Sequence, residues 1–167
     1  MVAMLRLAEQ QPELSTHAKL FLLAYAFLLR VPSEGLPAVA GGLDQTEDQA
    51  VLTLEDDVLV LRLKRRKNKP SGSILRRHCW CSTCAESCPV HVLGPMLQHR
   101  APGEKLFPNI SQAAACTTLK RMLEGVGVKE AGSYRLHDLR RGHALDLQQA
   151  GARLSSFHVL IRGLSCS

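Results

Sequence analysis

The sequence predicts an α+β fold that is mainly α-helical and carries a small antiparallel β-sheet. The chain has 167 residues, of which 46% are hydrophobic and 22% charged, enough for a single domain over residues 1–167 with an enclosed core. An uncharged apolar run at residues 20–29 predicts a buried helix. After residue 50 the pattern changes to short runs rich in leucine and valine, which is typical of strands.

The predicted buried helix is the run LFLLAYAFLL between Lys19 and Arg30. Ten helical residues rise about 15 Å, about half of the hydrocarbon thickness of a bilayer, so this run does not span a membrane. Acidic residues on both sides, such as Glu13 and Glu34, argue against a secretory signal, and we expect a nuclear or otherwise intracellular protein. Pro32 cannot continue the helix, which is therefore expected to end at or just after Arg30.

The other elements follow in chain order. Strands are predicted at residues 51–54 and 58–63, joined by a turn at residues 55–57, and at residues 73–77 after a second turn at residues 64–72. Further helices are predicted at residues 89–98, interrupted by Gly94 and Pro95, at residues 111–124 with Ser111 as N-cap and Gly125 as terminator, and from Ser133 to just before Gly151.

The chain is basic, with 21 lysines and arginines against 15 acidic residues and a net charge of +6. This balance favours a polyanionic partner, and the low aromatic content of 4% disfavours a platform that stacks single-stranded bases. Residues 62–77, which include the second turn, contain eight basic residues and no acidic one. They are Arg62, Lys64, Arg65, Arg66, Lys67, Lys69, Arg76 and Arg77. Duplex phosphates would neutralise them and release counterions, while a solvated loop or a nuclear localisation patch is the alternative.

A second signal is the segment HDLRRGH at residues 137–143. At helical spacing His137 and Arg140 project from one face, where an imidazole can exchange a proton and a guanidinium can bind two phosphate oxygens. Arg141 adds a charge, and His143 is a candidate for orienting a phosphate or an ordinary surface histidine. A surface salt bridge is the alternative for this common spacing.

The order of these signals resembles the catalytic domain of the tyrosine recombinases, the phage-integrase family. The segments that carry the likeness are LLRVPSE at residues 28–34, VLVLRL with its basic tip at residues 58–63, and HDLRRGHALDL at residues 137–147. The likeness extends over residues 20–154. These segments are more similar to the divergent members of the family found in eukaryotic mobile elements than to the bacterial enzymes.

The resemblance implies that Arg30 and Arg140 bracket the scissile phosphate and that His137 exchanges a proton there. It also implies a hairpin lysine that protonates the leaving oxygen, for which Lys67 is the first choice, with Lys64 and Lys69 left open. No cofactor is required for this chemistry. Double-stranded DNA is the expected partner, with self-association on DNA left open, and the candidate DNA contacts are Arg62, Lys64, Arg65, Arg66, Lys69, Arg141 and His143.

The sequence differs from the family pattern at two places. The family usually has Glu three residues after the first arginine, whereas Glu34 lies four after Arg30, and Pro32 is a candidate for absorbing the extra residue. The resemblance implies a second His or Trp about 20–25 residues after Arg140 and the nucleophilic tyrosine about nine residues further on, and residues 160–167 contain none of these residue types. We therefore expect a catalytically incomplete domain that lacks the C-terminal nucleophile segment and binds DNA.

The cysteines give a separate hypothesis. Residues 78–91 contain Cys79, Cys81, Cys84 and Cys88, with His78 and His91 at the ends. Zn²⁺ needs four such ligands, and the C-x-x-C pair at residues 81–84 supplies two, which Cys88 with Cys79 or His91 can complete. We predict the four cysteines as ligands of a structural zinc, with free thiols or disulfides as alternatives.

Two functions are therefore predicted. The first is a tyrosine-recombinase-like domain for DNA strand breakage and rejoining, in DNA recombination or integration. The alternative is a non-catalytic, zinc-dependent nucleic-acid-binding module, whose fold and binding would both depend on the metal.

Overall fold

A computed structural model describes residues 1–41, 50–64, 71–149 and 151. The helices are α1 (Val2–Gln10), α2 (Ser15–Phe27), α3 (Cys81–Cys84), α4 (Pro89–Gln98), α5 (Gln112–Gly125) and α6 (Leu136–Gln149). The strands are β1 (Val39–Ala40), β2 (Ala50–Glu55), β3 (Val58–Leu63) and β4 (Ser73–His78). Short 3₁₀ turns at Pro12–Leu14 and Ala131–Ser133 and a π-helical turn at Val31–Gly35 complete the list. The predicted α+β class is confirmed.

Helix α2 forms the centre of the core. Its apolar side chains are buried nearly all round, because a helix without a polar face is stable only when other elements surround it. Helices α1, α4, α5 and α6 and strand β4 pack against it. Residues with no exposed surface in this helix are Leu20, Phe21, Leu22, Leu23, Ala24, Ala26 and Phe27.

Helix α2 ends earlier than Pro32 predicts. Leu28 adopts a left-handed conformation with φ of 56° directly after Phe27. The Leu28 N–H donates to the Tyr25 carbonyl at 3.2 Å and the Leu29 N–H to the Ala24 carbonyl at 2.8 Å, which closes the helix end. Because glycine or asparagine usually takes this position, a leucine gave no signal, and Arg30 lies beyond the helix rather than in it.

The sheet has the order β1-β2-β3-β4. Strands β2, β3 and β4 are antiparallel, as predicted, but β1 pairs parallel with β2, so the sheet is mixed. This short strand was not predicted, because two residues are too few to show the alternation that is typical of a strand. The inner face of the sheet carries Leu59, Leu61 and Leu75, which are buried against the core.

Both hairpins depend on left-handed residues at their turns. Asp56 and Asp57 have φ of 45° and 61°, which suits a two-residue turn because aspartate tolerates this region. Gly72, with φ of 77°, ends the second turn, where a Cβ atom would lie 2.3 Å from the Leu63 carbonyl oxygen. Gly72 thereby fixes the start of β4 against the end of β3, and residues 65–70 lie outside the described residues.

The later helices agree with the predictions except at two points. Helix α4 continues through Pro95 instead of breaking there, since its buried residues Val90 and Leu93 hold it against α2 and the sheet. Helix α6 begins at Leu136, because Ser133 belongs to a 3₁₀ turn and the next residue is extended. In the described part of the chain, no helix has the length and apolar character needed to cross a bilayer.

Candidate functional site

Three cysteines and one histidine form a compact ligand group between β4 and α4. The ligand atoms of Cys79, Cys81, Cys88 and His91 all lie within 4.8 Å of one another. The His91 Nδ1 atom lies 3.0 Å from the Cys81 Sγ, 3.4 Å from the Cys88 Sγ and 3.6 Å from the Cys79 Sγ. The Sγ atoms of Cys79 and Cys88 are 3.7 Å apart. We call these four residues the Cys3His cluster, and they could hold a metal ion.

These spacings match those of a tetrahedral site. Zinc–sulfur bonds of about 2.3 Å and zinc–nitrogen bonds of about 2.0 Å place neighbouring sulfurs about 3.8 Å apart and sulfur about 3.5 Å from nitrogen. The four separations given above lie within about 0.5 Å of these values, the largest deviation being the 3.0 Å between Cys81 and His91. The cluster could therefore hold a metal ion such as zinc.

Local structure explains why these residues converge. Cys79 directly follows β4, Cys81 begins the short helix α3, and Cys88 is the N-cap of α4. His91 lies one helical turn after Cys88, so both face the same side of α4. The backbone N–H of the buried Trp80 donates to the Cys88 Sγ at 3.4 Å and fixes its position.

The pKa values of Cys88 and Cys81 shift in opposite directions: the pKa of Cys88 is lowered, whereas burial and contacts with Cys79 and Cys88 raise the pKa of Cys81 to about 12. Burial opposes ionisation of Cys88, but hydrogen bonds from His91 and from the Trp80 N–H outweigh it and lower the pKa of Cys88 to about 7. The same contact with Cys88 raises the pKa of His91. Because a metal needs the neutral imidazole and the thiolate together, it would have to displace a proton from this pair.

The prediction of Cys84 as a ligand is wrong. Its sulfur is buried on the inner side of α3, where it accepts a hydrogen bond from the Ser87 hydroxyl at 3.2 Å, and it does not belong to the cluster. His91 takes the fourth place. The C-x-x-C spacing places Cys81 and Cys84 on one short helix, but packing turns only Cys81 toward the other ligands.

Arg30 is held by a carboxylate on the turn that follows it. Glu34, 5% exposed, accepts the backbone N–H of Arg30 at 2.8 Å and lies 3.8 Å from the guanidinium. The π-helical turn Val31–Gly35 brings the Glu34 carboxylate back to Arg30. The Arg30 side chain is 35% exposed, while its Nε atom is buried and has no hydrogen-bond partner in the described chain.

The HxxR segment opens helix α6. His137 is exposed and Arg140 half-buried, and the carboxylate of Asp138 accepts the backbone N–H of Arg135 at 2.8 Å near the helix start. Asp138 also lies 3.7 Å from the exposed Arg141. An exposed pair of this kind contributes little to stability.

Tyr25 of α2 contacts two residues of α6, Asp146 and His143. Its hydroxyl donates to the Asp146 carboxylate at 2.5 Å, and its ring meets the His143 ring edge-on with centroids 4.4 Å apart. Burial and the bond to Asp146 raise the pKa of Tyr25 far above its usual range. The hydroxyl therefore keeps its proton, and its role is to hold α2 against α6.

The predicted DNA contact of His143 is wrong. Its side chain has no exposed surface, and neither ring nitrogen has a partner in the described chain. Burial, with a further contribution from the charge of Arg77, lowers the pKa of His143 to about 4. His143 is buried because its face of α6 packs against α2. The spacing of residues along α6 could not predict which face of the helix would be buried.

Arg77 does not lie on the basic surface that its position in the sequence suggested. The residue is 7% exposed, and its Nε donates to the carbonyl of Ala26 at 2.6 Å, close to the end of α2. Its guanidinium lies 5.2 Å from the centre of the Phe27 ring. Burial lowers the pKa of Arg77 to about 10, which leaves it charged at neutral pH. Arg77 thus caps a helix.

The outer face of the sheet keeps part of the predicted basic surface. Register places Arg62 beside Ile74 and Arg76 beside Val60, so both arginines are on the face away from the core. Arg62 is half-exposed and pairs with Glu55 at 2.9 Å, and Lys64 and Arg76 are exposed. Four predicted site residues lie outside the described residues: Arg65, Arg66, Lys67 and Lys69.

Comparison with known proteins gives no relative: no family model, no curated protein and no solved structure matches this chain.

Proposed function

We propose that this chain binds double-stranded DNA as a tyrosine-recombinase-like domain, with a phosphate site formed by Arg30, His137 and Arg140. One observation carries the proposal, namely the environment of the Arg30 guanidinium. It lies 3.8 Å from the buried carboxylate of Glu34, one third of the Arg30 side chain is exposed, and its buried Nε–H has no acceptor among the described residues. A guanidinium in this state is completed by an anion, and a phosphate presents two oxygens in matching geometry.

The proposed chemistry follows from the charges. Arg30 and Arg140 each bind non-bridging oxygens of one phosphate, where negative charge increases during strand breakage. His137 exchanges a proton at this phosphate, and Lys67 protonates the leaving oxygen. The two tyrosines of the sequence, Tyr25 and Tyr134, both precede the HxxR segment. We therefore propose that Arg30, His137 and Arg140 bind the phosphate and that neither of these two tyrosines is the nucleophile.

Replacing Arg30 or Arg140 with alanine tests the phosphate site. Each variant is expected to bind a DNA duplex about tenfold more weakly and to reduce the slope of log K against log salt by about one unit, since each loses one phosphate contact. Fluorescence anisotropy of a labelled duplex at several salt concentrations measures both. Arg30→Lys keeps the charge beside Glu34 but cannot bind two phosphate oxygens at once. Its affinity for the duplex should therefore also fall, while its slope of log K against log salt should stay at the wild-type value.

Arg121→Ala is the matched control. Arg121 is an exposed arginine of α5 that contacts Glu13 at 2.9 Å, so its loss removes the same charge elsewhere on the molecule. It should change duplex affinity less than about twofold. The phosphate site is contradicted if Arg121→Ala weakens binding as much as Arg30→Ala and Arg140→Ala in proteins with unchanged melting temperatures.

The Cys3His cluster favours a second candidate function, a zinc-dependent nucleic-acid-binding module. We propose Zn²⁺ as the ion because three thiolates and one imidazole are ligands that zinc prefers. A closed set of four protein ligands leaves no position for a substrate, so the proposed role of the ion is structural. It would tie the end of β4 to the start of α4.

Metal analysis tests the zinc site. Protein purified without added metal should contain about one equivalent of zinc, which His91→Ala removes and Cys116→Ser, outside the cluster, retains. The single tryptophan, Trp80, lies between two ligands, so its emission should change when a chelator removes the ion. Less than about a tenth of an equivalent in the purified protein contradicts the site.

Duplex binding after chelation separates the two functions. A recombinase-like phosphate site should bind DNA nearly as well without the ion, because Arg30 and Glu34 do not belong to the cluster. A zinc-dependent module should lose the fold and the binding together.

A further inference from the structure

We infer that the Cys3His cluster is also a peroxide-reactive site, in which Cys79 and Cys88 form a disulfide and release the metal. This inference rests on the proposed zinc site and adds a regulation to it. The reactant is hydrogen peroxide, a two-electron oxidant. Three observations support it: the distance between two sulfurs, the exposure of one of them, and their places in the chain.

The distance already suits a bond. The Sγ atoms of Cys79 and Cys88 are 3.7 Å apart, whereas a disulfide requires about 2.0 Å. Rotation of the Cys79 side chain can close most of this gap, because Cys79 follows the end of β4 and is exposed. A bond between Cys79 and Cys81 is less suitable, since a single residue separates them and the ring would be strained.

Exposure decides which sulfur reacts first. Cys79 is exposed, whereas Cys88 has no exposed surface and accepts the Trp80 N–H. Peroxide can therefore reach Cys79. The buried Cys88 is protected from direct oxidation, but its sulfur contacts that of Cys79. This is the arrangement of a peroxide-sensitive cysteine beside a resolving cysteine.

The reaction balances in two steps. The Cys79 thiolate attacks one peroxide oxygen, the O–O bond breaks, and with one proton a sulfenic acid and a molecule of water form. The Cys88 thiolate then attacks the sulfenic sulfur, and with a second proton the hydroxyl leaves as water. The two sulfurs lose two electrons to the peroxide. The ion keeps only Cys81 and His91, too few ligands for a stable tetrahedral site.

Treatment of the zinc-loaded chain, residues 1–167, with hydrogen peroxide tests the inference. We expect release of the bound zinc, seen with a chromogenic zinc chelator, in step with the loss of two thiols per chain and with a Cys79–Cys88 linkage found by peptide mass spectrometry. Reductant followed by zinc should restore the loaded state. Cys116→Ser is the control and should release zinc at the wild-type rate, because Cys116 lies on α5.

The outcomes separate this inference from the zinc proposal. Zinc that is bound and stays bound while peroxide oxidises the thiols overturns the inference and leaves the zinc site intact. A linkage between other cysteines, or zinc release with sulfinic acid and no disulfide, overturns it as well. If the chain holds no zinc before treatment, the zinc site and the inference fail together. The Cys79→Ser variant should form no disulfide with Cys88. If peroxide still produces a disulfide in this variant and releases its zinc, the assignment of Cys79 as the reactive cysteine is wrong.

Discussion

Acidification to pH 4 is expected to lower the free energy of unfolding by about 3 kcal/mol through His143 alone. Burial holds its pKa at about 4 in the folded chain, against an ordinary value of 6.5. Between these values the unfolded chain binds more protons, so stability is fully present above pH 6.5 and is lost as the pH falls toward 4. The physical cause is burial of the cation, to which the charge of Arg77 adds and which the charge of Asp146 offsets only in part.

Comparison with His143→Phe isolates this effect. The variant keeps an aromatic ring against Tyr25 and removes the titrating group, so it should be at least as stable as the wild type at pH 7. Urea unfolding of both proteins from pH 7 to pH 4 measures the difference, which should grow with acidity. Parallel curves for the two proteins would show that His143 does not titrate in a buried site.

Replacement of Arg77 by alanine is expected to cost about 3 kcal/mol of stability, because several interactions disappear together. The variant loses the charged hydrogen bond to the Ala26 carbonyl, the contact with the Phe27 ring and the volume of a buried side chain. It also leaves the Ala26 carbonyl without this donor near the end of α2. Chemical denaturation at pH 7 measures the loss.

The neighbouring arginine provides the control. Arg76 precedes Arg77 on β4 and points to the exposed face, so Arg76→Ala should change stability by less than about 0.5 kcal/mol. Equal losses in the two variants would contradict the burial of Arg77. Arg77→Met should cost less than Arg77→Ala because it fills the same space, and it should raise the pKa of His143 by removing a nearby positive charge.

Local patterns predicted most of the secondary structure. Helix α5 begins after Ser111, whose hydroxyl accepts the Ala114 N–H at 3.1 Å, and it ends at Gly125 as the sequence indicated. The β2–β3 hairpin turns at Asp56 and Asp57, also as indicated. These features depend on neighbours within a few residues, so the sequence carries their signal directly.

The cysteine-rich segment shows where such patterns fail. Its composition predicted a metal site, and the spacing of Cys81 and Cys84 suggested that both belong to it. Which side chain faces inward depends on the packing of α3 and α4 against the core, and this places His91 in the cluster and Cys84 outside it.

The α+β class, the buried apolar helix, the antiparallel hairpins and a cysteine- and histidine-rich ligand set are all readable from residue patterns. The burial of Arg77 and His143, the hydrogen bond from the Arg30 N–H to Glu34 and the parallel pairing of β1 with β2 became evident only from the folded chain. The difference lies in the range of the interactions. Periodicity and capping act within one element, whereas burial and charge contacts are set by elements that meet from distant parts of the chain.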